Sequence, residues 1–286
     1  MEMDGWQESN SFDWCRLELK KIPVLVLSSS SRRQLYPREE MAGESSLKLF
    51  FLDPEDYLFA KGYLVNIGYE TDTLYPGVGE KMRIPGRFSV EIYDTFPFKT
   101  QVYQKGMGKL LQRTFLKENE NYIYEWKIID QLVYLMVQSS YLYVTGHLQI
   151  RHLADLYVFY RKTAAENQLQ DLEDRLKEFK VNILAQKLLH LSYMWFGTRE
   201  ECASMETKEE ELQVFDILEK NVFYGMTGKF GPETDEQALD LRSDILKEEE
   251  WENRMEKRAL FYRRLREFFS LVHRQLKELY DIWFSR

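Results

Sequence analysis

The hydrophobic pattern changes period near residues 115–125. Upstream, short apolar runs alternate with polar residues and are cut by Gly, Pro and Ser clusters. Downstream, apolar residues recur every three or four positions over long stretches with no breaker. A strand leaves its backbone groups unpaired until it meets other strands, so the upstream runs must assemble into a sheet. A helix satisfies its own backbone, so the downstream stretches need only bury an apolar stripe. The pattern therefore predicts an α+β protein: a small mixed sheet with helices over residues 1–120, then an all-helical half over 121–286.

Within the first part, Ile22-Pro23-Val24-Leu25-Val26-Leu27 reads as a buried strand that ends at the serine run Ser28 to Ser31. Ser45 to Leu52 reads as a second strand, with Leu47, Leu49 and Phe51 alternating against Ser46, Lys48 and Phe50. Asp53 is a good N-cap and Pro54 suits the first helical position, which predicts a helix to about Ile67 that stops at Gly68. Pro76, Gly77, Gly79, Pro85 and Gly86 mark the next segment as turns. Phe88 to Phe96 reads as a third strand, with Ser89, Glu91 and Tyr93 facing away from Phe88, Val90 and Ile92.

In the second part, Ile128 to Val144, Arg151 to Arg161 and Leu169 to Leu191 read as helices. Glu200 to Glu211 reads as the start of a solvated helix, and Asn221 to Pro232 as a loop. Asp240 to Phe284 carries a long amphipathic pattern through Trp251, Met255, Phe261, Leu265 and Phe268 to Trp283. With its arginines, that stripe would pack on its own domain, on a second copy or on another protein.

Charge and composition narrow the function. With 39 basic and 47 acidic residues the net charge is -8, which counts against a general nucleic-acid binder. Cys15 and Cys202 have no metal-type spacing and read as free thiols. The four histidines make no ligand pattern, and Gly225 to Gly231 lacks the full phosphate-loop motif, so it reads as a turn. No stretch approaches the roughly 20 apolar residues of a spanning helix, and the N-terminal residues lack an apolar segment. The expectation is a cytoplasmic protein without membrane contact.

The order of the short motifs carries a resemblance. The strand at Ile22 is followed by Leu35-Tyr36-Pro37, the strand at 45–52, and Leu64-Val65-Asn66-Ile67-Gly68-Tyr69. Val90-Glu91-Ile92-Tyr93, then Leu148 to Leu156 with Arg151 and Asp155, and then Asn221 to Gly225 complete the series. This resembles an uncharacterised bacterial nucleotidyltransferase family of the DNA polymerase beta-like superfamily, often encoded in biosynthetic gene clusters. The similarity covers about residues 17–230. It implies a fold in which an Asp-x-Asp pair on one strand and a third acid on a neighbouring strand hold two Mg²⁺ ions. Here that pair falls on Ser46-Leu47-Lys48, so both carboxylates are absent and one position is a cation. Glu91 matches the third acid, and Tyr93 stands at a histidine position.

The resemblance thus implies a degenerate nucleotidyltransferase that binds a nucleotide or phosphate, or serves as a scaffold. Glu91 would be a catalytic relic, either paired with Lys48 across adjacent strands or simply exposed. Ser28, Ser29, Arg32 and Arg33 would form a phosphate cradle or a polar turn. Arg151 and Asp155 would face the nucleotide or form an ordinary i,i+4 salt bridge. ATP or another NTP is the cofactor implied, and the lost carboxylates count against Mg²⁺. Two other readings stand beside this one. One is an active transferase whose altered metal site combines Glu91, Asp94 and Asp155. The other is a structural interaction protein using its C-terminal helix.

Overall fold

The computed structural model describes residues 22–27, 35–36, 46–75, 78–85, 89–98, 100–118 and 122–198, with short pieces at 201, 215–216, 218–222, 242–243 and 247. The chain divides into two units, Met1–Leu239 and Asp240–Arg286. The elements below all lie in the first unit. The amphipathic pattern from 240 onward, both cysteines and the glycines at 225–231 lie outside the described residues, apart from 242–243 and 247.

The strands are β1 (Val24–Val26), β2 (Ser46–Phe51), β3 (Glu70–Tyr75), β4 (Gly79–Arg83), β5 (Ser89–Tyr93), β6 (Phe115–Leu116) and β7 (Ile123–Glu125). The helices are α1 (Pro54–Asn66), α2 (Gln101–Leu111), α3 (Ile128–Val144), α4 (Ile150–Ala165), α5 (Leu172–Lys177) and α6 (Asn182–Phe196). The seven strands form one mixed sheet in the order β3-β4-β5-β2-β1-β7-β6. β2 runs parallel to β5 and antiparallel to β1. The fold is therefore α+β, and the described elements after Glu125 are helices. No helix among the described residues is long and apolar enough to cross a membrane.

Alternation in β2 and β5 sorts the two faces of the sheet. Leu47, Leu49, Phe51, Val90 and Ile92 join Met82 and the buried side of α1 in one apolar cluster. α1 begins where the sequence places it: Asp53 accepts from the Glu55 N–H at 2.9 Å, and Pro54 occupies the first turn. Gly68 then adopts φ +96°, which a side chain would strain. Burying these apolar side chains contributes on the order of 1.5–3 kcal/mol each. On the opposite face Phe50 stacks on Phe96 at 4.2 Å, and the Phe96 ring meets Tyr134 of α3.

Four parts of the sequence reading are corrected. The segment read as turns after Gly68 is the β3–β4 hairpin; β3 is an exposed edge strand held by backbone pairing, so it lacks an apolar alternation. Helix α2 and the β6–β7 hairpin lie in a stretch where no element is expected, and β7 belongs to the sheet although it follows residue 120. The stretch Leu169 to Leu191 is two helices, broken at Lys180 with φ +55°. Next to the break, Phe179 packs on Tyr103 and against Gly106 of α2, where an added Cβ would lie 2.5 Å from its ring. Finally, Asn221 and Val222 are helical, whereas a loop is read there.

Candidate functional site

The polar face of β2 and β5 gathers the three positions that the sequence singles out. Parallel pairing sets Ser46 beside Ser89, Lys48 beside Glu91 and Phe50 beside Tyr93. Antiparallel pairing with β4 sets Lys81 on the other side of Glu91 and Gly79 beside Tyr93. Paired residues point to the same face. Lys48, Glu91 and Lys81 therefore form one row across three strands, with Thr73 of β3 next in line.

Glu91 is 8% exposed and fully engaged. Ser46 Oγ donates to Oε1 at 2.6 Å, the Tyr93 hydroxyl donates to Oε2, and Lys48 Nζ lies 3.8 Å from Oε2. Burial pushes the carboxyl pKa up. The Lys48 ammonium, the hydrogen bonds from Ser46 and Tyr93, and the charge of Lys81 together outweigh that and hold it below the ordinary carboxylate value. Of the two sequence readings of Glu91, the structure shows the pairing with Lys48 and not the exposed residue. Tyr93 is shifted the opposite way. Burial first, and then the Glu91 charge and hydrogen bond, push its hydroxyl far up, so it remains a proton donor.

Gly79 shapes the neighbouring row. A Cβ there would meet the Ile92 carbonyl oxygen at 2.1 Å and Tyr93 Cδ1 at 2.9 Å. Without one, the Tyr75 ring reaches across β4 and stacks on Tyr93 at 6.0 Å with an interplanar angle of 16°. Burial, then the charges of Glu91 and Asp72, raise the Tyr75 pKa. The site is a charged row with serines on one side and an aromatic edge on the other.

A second buried acid serves the fold. Glu80, 1% exposed, faces α1 and accepts from the Tyr57 hydroxyl at 2.8 Å and Thr71 Oγ1 at 2.5 Å, with Lys61 Nζ at 2.6 Å. These contacts tie α1 to the β3–β4 hairpin, which carries Lys81 and Tyr75.

Asp155 of α4 is buried and accepts from the Tyr36 hydroxyl, so two motif pieces far apart in sequence touch. Arg151, one turn earlier, is exposed. Ser28, Ser29, Arg32 and Arg33 lie outside the described residues. Glu70 and Asp72, two acids spaced i,i+2 on β3, straddle the start of a register shift between Thr71 and Thr73 that breaks the regular strand geometry there. Among the described residues no three His, Cys, Asp or Glu side chains form a group fit for a metal ion, Glu91, Asp94 and Asp155 included.

The donors around Glu91 do not suit a divalent cation. Both carboxylate oxygens already accept hydrogen bonds, and the nearest charge is an ammonium. Sequence reading misses Lys81 and Tyr75, because the hairpin that delivers them has no apolar period. The Gly79-to-Arg83 alternation of Glu80 and Met82 against Lys81 is the trace that was there to find. No family model, curated protein or solved structure matches the chain.

Proposed function

We propose that the chain is a nucleotidyltransferase-like protein whose metal site has been replaced by an ion pair. It binds a nucleotide or phosphate, or acts as a scaffold, without transferring a nucleotidyl group. The observation that carries this reading is the Lys48–Glu91 pairing across parallel strands, with Ser46 bonded to the same carboxylate. In an active relative the resemblance assigns carboxylates to all three of those positions. Their side chains would share one metal-binding face, as Ser46, Lys48 and Glu91 do. The Tyr36–Asp155 contact supports the same reading, since the resemblance draws on both residues.

The chemistry follows from charge. Nucleotidyl transfer forms a bond from an acceptor oxygen to the α-phosphorus and breaks the bond to pyrophosphate. That leaving group must be neutralised and the acceptor hydroxyl activated. Lys48 offers a single positive charge already committed to Glu91, and Glu91 has both oxygens occupied. Removing metal stabilisation costs several kcal/mol of barrier, hence orders of magnitude in rate.

Calorimetric titration of ATP with and without Mg²⁺, alongside a pyrophosphate-release assay, tests the proposal. The expected result is binding that needs no metal, weakens in Lys48→Ala and releases no pyrophosphate. Tight Mg²⁺-dependent binding with pyrophosphate release would establish an active transferase instead.

A further inference from the structure

The row on the polar face holds two cations against one carboxylate, Lys48 and Lys81 flanking Glu91. Among the described residues that row carries one surplus positive charge, where the resemblance implies three negative ones. Lys81 lies on β4 between Glu80 and Met82, both of which face α1, so its side chain is on the Glu91 side. It is half-buried, and its charge acts on Glu91 across the strand. Lys48 by contrast stands within 3.8 Å of a Glu91 oxygen. Among the described residues Lys81 makes no ion pair within 4 Å, so it is the cation of the row with charge to spare. The aromatic edge of Tyr75 and Tyr93 lies one row further along the same face.

We propose that Lys81 forms a metal-free seat for a polyphosphate chain, with Lys48 beside it balancing Glu91, so that the net positive charge of the row takes the place of divalent ions. This rests on the reading of the site as a degenerate nucleotidyltransferase centre, but it adds a residue and a sign. The seat carries its own positive charge, so Mg²⁺ competes with the protein for the phosphate oxygens. Metal then weakens binding, the reverse of what an active relative requires. The polyphosphate can belong to a nucleotide or stand alone, and Tyr75 is placed to contact a base only in the first case.

The test uses the full chain in calorimetric titrations with ATP and with inorganic tripolyphosphate, each with EDTA and with excess Mg²⁺. The wild type binds tripolyphosphate in EDTA, and excess Mg²⁺ weakens that binding several-fold. Lys81→Gln weakens it about tenfold, the size of one charge-assisted contact, while Lys81→Arg retains it. Retention in the arginine variant separates loss of charge from loss of fold. Tyr75→Leu weakens ATP but not tripolyphosphate if the ligand is a nucleotide. ATP binding that falls in Lys48→Ala and is unchanged in Lys81→Gln would overturn the seat and leave the nucleotide reading intact. Tripolyphosphate binding without any preference for ATP would support the seat and defeat the nucleotide reading. Binding that Mg²⁺ strengthens, or no binding of either probe, would overturn the seat.

Discussion

Replacing Glu91 by Gln tests the site through stability. The side chain keeps its shape but loses its charge. Ser46 Oγ at 2.6 Å and the Tyr93 hydroxyl both donate to the carboxylate, and the amide supplies one oxygen for these two donors. Its NH₂ group then faces a hydroxyl that must turn from donating to accepting, and Lys48 loses its counter-charge at 3.8 Å. Hydrogen bonds to a buried charged group are worth about 1.5–3 kcal/mol each. The Lys48 contribution is discounted to about 1 kcal/mol or less, because that side chain is 29% exposed and the separation is long. One hydroxyl can still donate to the amide oxygen and the other can accept from its NH₂, so the expected loss is about 2–3 kcal/mol in all. For a unit of this size that is a fall in Tm on the order of 4–12 °C.

The pH dependence carries the sharper test. The folded pKa of Glu91 lies below its unfolded value. Its contribution is therefore fully present above the unfolded value of about 4.3 and is lost as pH falls through the folded one. Denaturant melts of wild type and Glu91→Gln should differ by a constant amount between about pH 6 and 8 and converge below about pH 4. A gap that stays constant into acid would refute the argument. So would a variant more stable than wild type at neutral pH, which is the outcome when desolvation of a buried pair exceeds its attraction.

The double variant Ser46→Asp with Lys48→Asp places three carboxylates together; in EDTA it should be destabilised by a few kcal/mol, and Mn²⁺ or Mg²⁺ should restore its Tm while leaving the wild type unmoved. Absence of any metal-dependent shift would argue against the register of that motif. Gly79→Ala forces a Cβ toward the Ile92 carbonyl oxygen at 2.1 Å, so chemical denaturation should show a loss of about 1–3 kcal/mol or more. Tyrosine fluorescence should change in parallel as Tyr75 leaves Tyr93, and an unaltered spectrum would count against the stacking.

The sequence by itself determined those elements whose pattern is local. Alternation in Ser46–Phe51 and Ser89–Tyr93 placed Lys48 and Glu91 on polar faces, and Asp53, Pro54 and Gly68 marked the ends of α1. Each of these rests on a backbone or side-chain preference that acts within a few residues. Tertiary structure alone decided what those faces meet. The parallel pairing of β2 with β5 brings Lys48 to Glu91, and hairpin β3–β4 adds Lys81 from a strand with no apolar period of its own. The break at Lys180 likewise carries no Gly or Pro in the chain to mark it, and it lies beside Phe179, whose ring packs against Gly106. Helix and strand periods report which side of an element is buried, but the partner across a sheet is chosen by hydrogen bonding and packing between segments distant in sequence. The charge of the site is a property of that choice, since Glu91 reads as an isolated acid along the chain and as the middle of a lysine-flanked row in the fold.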